Sequence, residues 1–420
     1  MPTKFAKPRG TRDILSDTIT RFQFMENVAR ETFHKYGFNE IKTPTFEEKE
    51  LFCRSIGDTT DIVEKEMYLF TDKKGRELVL RPEGTAGVVR AYIENDMDKV
   101  CAITKLYYYE QMFRYERPQS GRYREFYQIG AECFGDSTPG ADAEIILIAM
   151  VILNKLNLKN KVELLINSLG CSGCRQEYRK ALIEKLGSKI DSLCEDCRKR
   201  FIRNPLRVLD CKKDADKLAE LPKITEYLCD ECKQHFNKLQ ILLNSSGCEY
   251  VIDPYLVRGL DYYTKTIFEI KLKDIDIAEN TVIAGGRYDG LVKELGGNSV
   301  PACGFAIGVD RLSQYIVPEN SSNAPGVFLA VIGNNNLEYA VEKHVLKLAN
   351  KLRENNISVM GPFFEKSLKS QLRLADSLKI NNVIIIGEQE IGQKQVIVRK
   401  MDKQSQEPVK EENIVEYLKK

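Results

Sequence analysis

The chain has 420 residues, of which 43% are hydrophobic and 30% are charged, and its formal net charge is +2. The length predicts two or three domains that each bury a core, and the near-neutral charge excludes a general basic footprint, so nucleic acid would have to bind local patches. The apolar run at residues 145–153 is too short to span a bilayer, and residues 1–10 carry no apolar signal region; together they predict a cytoplasmic protein.

The first predicted elements are a helix and a strand. Residues 18–36 carry apolar side chains at helical spacing and are followed by Gly37, a common helix terminator. Residues 38–45 have the pattern of a strand, but Pro44 interrupts it. Because proline removes a backbone donor from a sheet, Pro44 predicts a sheet edge or a subunit boundary rather than a sheet centre.

A predicted hairpin at residues 67–80 runs into a strand-to-helix corner. A helix is predicted from about residue 86, so Glu83, Gly84 and Thr85 lie at the corner. Side chains and free backbone groups at such a corner can face a ligand. The alternative is that these three residues only cap the helix.

A second predicted hairpin, at residues 113–132, is rich in charged and aromatic side chains. Its residues alternate on both sides of a turn segment that contains Pro118 and Ser120-Gly121. With a period of two, each arm presents one shared face, made of Arg114 and Glu116 on the first arm and of Phe126, Gln128, Gly130 and Glu132 on the second. In a pocket these groups would suit a phosphate or carboxylate, a base and an amine. On a sheet edge they would form a solvated, charge-alternating surface.

The pattern beyond this hairpin predicts an α+β domain that carries a helical insertion. Its parts are a buried helix at 141–156, a strand at 162–166, a charged and cysteine-rich insertion at 171–248, core segments at 249–257, 266–271, 282–284 and 302–307, and a helix from about 308. Mostly antiparallel strands with flanking helices are typical of this fold class.

The C-terminal part of the chain has a different pattern of predicted elements. It follows a linker that contains Pro318, Ser321, Ser322, Asn323 and Pro325. Strands are predicted at 327–332, 358–360, 382–386 and 395–399, and helices at 338–355, 368–378 and 411–418. This alternation predicts a parallel or mixed sheet with helices on both faces. The predicted domains are therefore residues 1–322, with the insertion at 171–248, and residues 325–420, a C-terminal α/β domain.

Arginines stand at the glycine-rich corners of the predicted sheet. Each falls at a strand end or beside a glycine turn: Arg114, Arg258, Arg287 and Arg311. Such planar donors suit carboxylate or phosphate oxygens and can stabilise the charge that develops in phosphoryl or adenylyl transfer. The sequence has neither a P-loop nor a dinucleotide-binding glycine pattern, so bound ATP would be held by arginines and a sheet.

These motifs together resemble the histidyl-tRNA synthetase family of class II aminoacyl-tRNA synthetases over the full length of the chain. The three general class II motifs have counterparts in Lys42-Thr43-Pro44, in Phe113-Arg114-Tyr115-Glu116 with Arg124-Glu125-Phe126-Tyr127-Gln128, and in residues 304–312. Residues 256–263 and 284–291 are similar to histidine-specific signatures. The resemblance implies a class II antiparallel-sheet catalytic domain and a C-terminal anticodon-binding domain.

The resemblance also implies a role for each matching residue. Arg114 and Arg258 would be catalytic and would bracket the α-phosphate and the histidine carboxylate. The residues implied to bind histidine are Glu83, Gly84, Thr85, Gln128, Glu132, Arg258, Tyr262, Tyr263 and Tyr288, of which Glu132 and Tyr263 would hydrogen-bond the imidazole. Those implied to bind ATP are Arg114, Glu116, Arg122, Phe126 and Arg311. Mg²⁺ is implied on the leaving pyrophosphate.

The implied activity is that of a histidine–tRNA ligase, with L-histidine, ATP and tRNA(His) as partners, in a homodimer with no membrane partner. Lysines at residues 366–372 could meet tRNA phosphates or could form a solvated helix face. One alternative is a synthetase-like regulatory subunit of histidine biosynthesis that charges no tRNA. Another is a zinc-dependent nucleic-acid-binding module, which would leave the arginine-lined core unexplained.

The twelve cysteines indicate free or metal-bound thiols, because cytosolic thiols stay reduced. Most lie in the insertion, as the pairs Cys171/Cys174, Cys194/Cys197 and Cys229/Cys232 with Cys211 between the last two. The spacing of the first two pairs suits one tetrahedral structural Zn²⁺ site, formed by Cys171, Cys174, Cys194 and Cys197. The third pair and Cys211 leave the choice of ligands open, and reduced thiols without metal are the alternative.

Overall fold

The structure of the chain is a computed structural model, which describes residues 5–57, 60–119, 121–211, 213–218, 220–273, 280–318, 326–332 and 340–419. The chain divides into two compact units, Met1–Pro318 and Glu319–Lys420. Most of the predicted linker, with the predicted boundaries at 322 and 325, lies outside the described residues, as does the start of the helix predicted from residue 338. Within the described ranges, no helix is both long enough and apolar enough to cross a membrane.

The first unit is built on a large sheet. Its strands are β1 (Asn39–Glu40), β2 (Phe46–Glu48), β3 (Tyr68–Thr71), β4 (Glu77–Leu80), β5 (Thr104–Phe113), β6 (Glu125–Phe134), β7 (Val162–Ser168), β8 (Val251–Ile252), β9 (Thr264–Leu272), β10 (Thr281–Arg287) and β11 (Ala302–Gly308). In the described residues the large sheet has the order β1-β5-β6-β11-β10-β9-β7-β8, and β2, β4 and β3 form a small second sheet. Strands β5, β6, β11, β10, β9 and β7 pair antiparallel, whereas β1 and β8 add parallel edges. The predicted antiparallel sheet is therefore confirmed.

The helices of this unit are α1 (Ser16–Lys35), α2 (Lys49–Ile56), α3 (Thr85–Glu94), α4 (Met97–Val100), α5 (Pro139–Lys155), α6 (Ser172–Gly187), α7 (Glu195–Arg203), α8 (Ala215–Leu218), α9 (Asp230–Ser245), α10 (Leu291–Glu294) and α11 (Val309–Leu312). Helices α6 to α9 make up the predicted helical insertion.

The alternation of β6 places its two faces in different surroundings. Ile129, Ala131 and Cys133 are buried in one hydrophobic cluster with residues of α1 and α5. The side chains between them, from Phe126 to Glu132, face the opposite way, as the period of a strand requires. One face of the sheet is thus closed by apolar helix packing, and the other carries the polar side chains of β6 next to a second buried cluster that includes Phe134.

The strand predicted at residues 38–45 is short, because side chains replace its ladder of backbone hydrogen bonds. Pairing with β5 stops after two residues. Beyond it, the Thr43 backbone N–H donates to Glu110 Oε1 at 2.9 Å, and the Thr43 carbonyl oxygen accepts from the Arg81 guanidinium at 2.9 Å. Pro44 has no N–H to contribute. The core segment predicted at 249–257 contains only the two-residue strand β8.

The second unit contains β12 (Val327–Val331), α12 (Ala340–Glu354), β13 (Val359–Met360), α13 (Leu368–Ser377), β14 (Asn382–Ile386), α14 (Glu388–Gly392), β15 (Gln395–Lys400), β16 (Ser405–Lys410) and α15 (Ile414–Lys419). Its sheet order is β13-β12-β14-β15-β16, in which β12 pairs parallel with β13 and β14 and the other pairs are antiparallel. Two separate buried clusters lie on the two faces. This confirms the predicted mixed sheet; β16 was missed because its side chains are mostly exposed and polar.

Candidate active site

The β5–β6 hairpin forms one wall of a cavity of about 660 Å³. Its pairing runs from Thr104 opposite Phe134 to Phe113 opposite Glu125, and β6 pairs on its other side with β11. The hairpin is therefore not a sheet edge. Among the residues predicted to bind histidine or ATP, those that line the cavity are Glu83, Thr85, Arg114, Glu116, Arg122, Phe126, Gln128, Glu132, Arg258, Tyr262, Tyr263, Tyr288 and Arg311.

Gly84 is not among the residues that line the cavity. Together with Gly130 and Gly304, it allows buried polar side chains to pack closely. A Cβ atom on Gly84 would lie 2.3 Å from Tyr108 Cζ, and one on Gly130 would lie 2.2 Å from the same atom, so both glycines make room for the Tyr108 ring. A Cβ atom on Gly304 would lie 1.8 Å from Glu132 Oε2. The carboxylate of Glu132 thus rests directly on the backbone of β11.

Glu132 is the buried acidic group at one end of the cavity. Thr85 Oγ1 donates to its Oε1 at 2.8 Å, and the Tyr288 hydroxyl donates to its Oε2. Burial raises the pKa of Glu132 to about 8, even though both hydroxyl donors favour the ionised form. The group can therefore exchange a proton near neutral pH. The rings of Tyr262 and Tyr263 lie beside it, with Tyr262 packed edge-on against Tyr288.

Glu83 caps a helix and also lines the cavity. Its Oε2 accepts from the Thr85 backbone N–H at 2.7 Å and its Oε1 accepts from the Ala86 backbone N–H at 2.8 Å, so it caps α3. It also lines the cavity. Burial raises its pKa, against the lowering effect of these two backbone donors. Capping fixes the carboxylate in place without removing it from the cavity.

Gln128 adds an amide between these acidic groups and the arginines. It lies opposite Gly308 on β11, four residues along β6 from Glu132. Its Oε1 atom is buried and accepts no hydrogen bond from any described residue. A buried polar atom without a partner costs free energy, so this acceptor is available to a donor on a ligand.

Arginines line the other end of the cavity. Arg114 Nε donates to the Pro82 carbonyl oxygen at 2.8 Å, and its guanidinium carbon lies 5.4 Å from the centre of the Phe126 ring. Glu116 lies between two arginines, with Oε2 3.0 Å from Arg122 Nε and Oε1 3.7 Å from an Arg114 nitrogen. The Arg114 guanidinium has further N–H groups that can bind an anion.

Arg258 and Arg311 reach the cavity from other elements. The Arg258 guanidinium pairs with Glu269 on β9, and its Nε atom is buried without an acceptor among the described residues. Arg311, in the short helix α11, donates to the Thr281 carbonyl oxygen. The arginines thus come from the loop after β5, the loop before β9 and the helix after β11.

The prediction that Arg287 would bind an anion is wrong. Its side chain is completely buried, with a guanidinium nitrogen 2.6 Å from Asp142 Oδ1 and another 2.9 Å from Asp289 Oδ1. It also donates to the carbonyl oxygens of Asp136 and Thr138. The donors that suited a ligand are used inside the protein, and Arg287 has a structural role.

Several polar residues of the wall were missed from the sequence: Asp61, Glu66, Arg200, Asp210, Glu269, Lys271 and Asp310. Asp310 supports the wall, because it accepts from the Tyr127 backbone N–H at 2.6 Å and pairs with Arg12 at 2.6 Å. Asp310 directly precedes Arg311, a predicted ATP-binding residue, so its position in the sequence could have indicated that it lies at the cavity. Arg200 and Asp210 belong to the insertion, and no local pattern could bring them to the cavity.

The cysteines of the insertion form two clusters rather than the single predicted one. Each cluster brings its ligand atoms within 4.8 Å of one another, and the sets are Cys171, Cys174, Cys229 and Cys232, and Cys194, Cys197, Cys211 and Asp214. The predicted set of Cys171, Cys174, Cys194 and Cys197 is thus divided. Which cysteine pairs share a cluster depends on how the helices that begin at these pairs pack, and not on the spacing of the pairs along the chain.

Comparison with known proteins gives the same identification over both units. A family model described as histidyl-tRNA synthetase matches residues 10–312, and one described as anticodon binding domain matches residues 326–420. The chain belongs to the histidyl-tRNA synthetase family. The class II resemblance and the fold class predicted from the sequence are therefore confirmed.

Relatives of known name match nearly the whole chain. The histidine–tRNA ligase of Thermodesulfovibrio yellowstonii is 48% identical over 425 residues, which cover 99% of each chain. That of Caldanaerobacter subterraneus subsp. tengcongensis is 47% identical over 400 residues, which cover 94% of each. The crystal structure of apo S. aureus histidyl-tRNA synthetase is 34% identical, with a TM-score of 0.81, and the match covers 99% of this chain and 100% of that one.

One further solved structure concerns the regulatory alternative. A protein of Bacillus halodurans C, described as an ATP phosphoribosyltransferase regulatory subunit/histidyl-tRNA synthetase, is 23% identical with a TM-score of 0.68. That likeness shows the fold alone. The full-length relatives that are nearly half identical are histidine–tRNA ligases, which favours the ligase over the regulatory subunit.

Proposed function

We propose that the cavity binds histidine and ATP end to end and joins them to histidyl-adenylate, which the protein then transfers to tRNA(His). The observation that carries this proposal is the division of one cavity into an acidic, tyrosine-lined end at Glu132 and an arginine-lined end at Arg114. An amine-bearing heterocycle fits the first end, and a polyphosphate fits the second.

At the acidic end, the imidazole of histidine would lie against Glu132 and Tyr263. A neutral imidazole offers one donor and one acceptor, which match a carboxylate and a phenolic hydroxyl. The α-ammonium group would be held by Glu83, Thr85 and Gln128, whose buried Oε1 would gain a donor. Competitors that lack the ring nitrogens would leave these buried groups unpaired, which is a strong basis for rejection.

At the arginine end, Phe126 would stack on adenine, and Glu116 would accept a hydrogen bond from its amino group. Arg122 and Arg311 would contact the outer phosphates. Arg114 and Arg258 would bracket the α-phosphate, where charge develops as the histidine carboxylate attacks. The carboxylate is already a nucleophile, so this step depends on positioning and charge stabilisation.

The family implies Mg²⁺ on the pyrophosphate, and the cavity contains suitable donors. The carboxylate of Glu66 lies in the wall beside Arg114, and an oxygen donor of this kind binds Mg²⁺ through one or two contacts. A bound ion would neutralise charge on the leaving group. Arg258 would take the place of a second cation.

The rest of the chain would serve the tRNA step. We propose that residues 1–322 are the catalytic domain, that residues 325–420 bind the anticodon arm, and that the protein acts in the cytoplasm as a homodimer. Lysines at 366–372 lie at the start of α13, where Ser367 caps the helix, and could meet tRNA phosphates. Zn²⁺ bound by cysteine thiolates would be a structural metal of the insertion.

The test is ATP–pyrophosphate exchange with each of the twenty amino acids. We expect exchange with histidine alone, followed by charging of tRNA(His) in an aminoacylation assay. A regulatory subunit would bind histidine without charging tRNA. Exchange with another amino acid, or none with any, would contradict the proposal.

A further inference from the structure

The insertion contains two groups of metal-ligating side chains that are separate from the predicted substrate-binding residues. We call the group Cys171, Cys174, Cys229 and Cys232 the outer cluster, and the group Cys194, Cys197, Cys211 and Asp214 the inner cluster. We propose that each cluster binds one Zn²⁺ ion, so the chain carries two structural zinc sites. The outer ion has four thiolate ligands, and the inner ion has three thiolates and one carboxylate.

The distances between the sulfur atoms are those of ligands around one zinc ion. Cys171 Sγ lies 3.6 Å from Cys174 Sγ, and Cys194 Sγ lies 3.7 Å from Cys211 Sγ. Tetrahedral Zn²⁺ with Zn–S bonds of about 2.3 Å separates two sulfurs by about 3.8 Å. A disulfide would require about 2.05 Å. All seven cluster cysteines carry free thiols.

Each Cys-x-x-Cys pair spans the beginning of a helix. Cys171, Cys194 and Cys229 are the N-cap residues of α6, α7 and α9. Helix N-termini offer free N–H groups and a partial positive charge, both of which stabilise a thiolate. The Cys229 N–H donates to Cys174 Sγ at 3.1 Å, and the Cys197 N–H donates to Cys194 Sγ at 3.5 Å. Such contacts from backbone groups are the usual support of metal-bound sulfur.

The carboxylate of the inner cluster is held ready as a ligand. Asp214 is buried, and its Oδ2 lies 3.8 Å from Cys211 Sγ. The Cys194 N–H donates to this oxygen at 2.9 Å, and Lys217 Nζ lies 3.1 Å from Oδ1. Three thiolates and a carboxylate around Zn²⁺ carry net negative charge, which Lys217 partly offsets.

Neighbouring cysteines elsewhere do not make such a site. Cys133 and Cys303 lie opposite each other on β6 and β11. No third ligand joins them among the residues that the structure describes. The two four-ligand clusters are therefore a property of the insertion and do not follow merely from a high number of cysteines.

The two sites have different structural consequences. The outer ion joins the start of α6 to the start of α9, two helices that are far apart in the sequence. The inner ion fixes α7 and the 3₁₀ segment Pro205–Asp210. Asn204 Nδ2 donates to Asp261 Oδ1 at 3.1 Å, and Arg207 donates to the Gly259 carbonyl oxygen. Because Gly259 and Asp261 lie one and three residues after Arg258, the inner site is a positioning site for the arginine end of the cavity.

The test is the metal content of the full-length protein, purified without chelators and measured by elemental analysis and by native mass spectrometry. We expect two Zn²⁺ per chain. A thiol-reactive mercurial should release both ions from the wild-type protein, measured with a chromogenic zinc chelator. A content of zero or one Zn²⁺ ion per chain, or a different bound metal, would overturn the proposal, whether or not the protein activates histidine.

Substitutions assign the ions to the clusters. Cys174→Ser should remove the outer ion, and Cys197→Ser should remove the inner one, so each variant should retain one Zn²⁺ per chain. Cys101→Ser and Cys248→Ser, which alter cysteines outside both clusters, should retain two. Asp214→Cys should retain two and, in the cobalt-substituted protein, increase the thiolate-to-cobalt charge-transfer absorbance. Loss of both ions from either folded single-cluster variant would contradict two independent sites. Should these variants fail to fold, the wild-type stoichiometry still decides the question.

Discussion

In the wall of the cavity, polar side chains are positioned by strand pairing, whereas in the insertion they are positioned by helix N-termini that come from distant parts of the chain. Glu132 lies where it does because it is paired with Gly304 in a continuous antiparallel ladder. Cys174 lies beside Cys229 because α6 and α9 begin at the same place. Backbone hydrogen bonds hold the paired strands together even when one side chain is removed. A metal cluster, in contrast, no longer crosslinks its helices once any one of its ligands is removed. Substitutions in the wall should therefore affect chemistry, and substitutions in the clusters should affect local folding.

The largest effect is expected from removing the cation at Arg258. The double variant Arg258→Ala/Glu269→Gln removes the guanidinium without leaving Glu269 as an unpaired buried charge. We expect histidine-dependent ATP–pyrophosphate exchange to fall by about 10²- to 10³-fold, since a group that stabilises transition-state charge is lost, while tRNA binding and zinc content stay unchanged. Arg54→Ala, at an exposed helix position, should retain full exchange. Exchange within a factor of about three of wild type would remove Arg258 from the proposed mechanism.

A smaller effect is expected from lifting Glu132 off the sheet. In Gly304→Ala, the new Cβ would lie 1.8 Å from Glu132 Oε2 and 2.5 Å from the Ala131 backbone carbonyl oxygen, so the carboxylate must move and the β6–β11 pair must shift with it. Loss of one hydrogen bond to a charged group corresponds to roughly a 10- to 100-fold rise in the dissociation constant for histidine, measured by calorimetry. The matched control is Gly290→Ala, which would meet nothing within 4 Å and has φ −87°. Equal behaviour of the two variants would contradict the assigned histidine position.

The contacts between the insertion and the cavity loop that contains Arg258 can be removed without altering a proposed metal ligand. Arg207→Met keeps the aliphatic stem but removes the hydrogen bond to the Gly259 carbonyl oxygen and the 3.5 Å ion pair with Asp261. We expect exchange to fall about tenfold, with two Zn²⁺ retained. Arg198→Met, an exposed position of the same helix region, should change neither quantity. Unchanged exchange in Arg207→Met would show that the insertion does not support the Arg258 loop.

The smallest effect concerns pH. Burial raises the pKa of Glu132 to about 8, so the free protein holds a proton there at pH 7. Because an ordinary glutamate releases this proton near pH 4.3, the free energy of unfolding should fall as pH rises from about 4.3 to 8. Binding an imidazole N–H to the carboxylate must displace the proton, so the affinity for histidine should rise about fivefold between pH 7 and 8 and level off above pH 9, as the ionised fraction of a group with a pKa of about 8 does.

Calorimetry in two buffers that differ in ionisation enthalpy measures this proton release directly. Wild-type protein should release close to one proton per histidine at pH 7. Glu132→Gln can still accept a hydrogen bond but does not titrate, so its proton release should vanish and its affinity should stay flat between pH 7 and 8. Equal proton release from both proteins would assign the titration to another group.

The same contrast explains how much the sequence could predict. The period of two at residues 126–132 was sufficient to place Phe126, Gln128 and Glu132 in one wall, because register follows from alternation. The prediction that arginines at strand ends bind anions was wrong for Arg287. Its buried partner, Asp142, lies on a helix far away in the sequence. No local signal showed which strand-end arginine had an internal carboxylate.

The insertion was predicted less completely. Its helices followed from the charge pattern, and the cysteines that are candidate metal ligands followed from the Cys-x-x-Cys spacing. The ligand sets did not, because spacing favoured the nearest pairs, whereas helix packing joins Cys174 to Cys232 and brings Asp214 to Cys211. Asp210 of the cavity wall was missed for the same reason. Long-range packing leaves no periodic trace in the sequence.

A crystal structure with a non-hydrolysable histidyl-adenylate analogue tests the central claim most directly. We expect the imidazole within hydrogen-bond distance of Glu132, the phosphate mimic between Arg114 and Arg258, and the adenine ring over Phe126. An imidazole bound at the arginine end, or an analogue bound outside the cavity, would contradict the account.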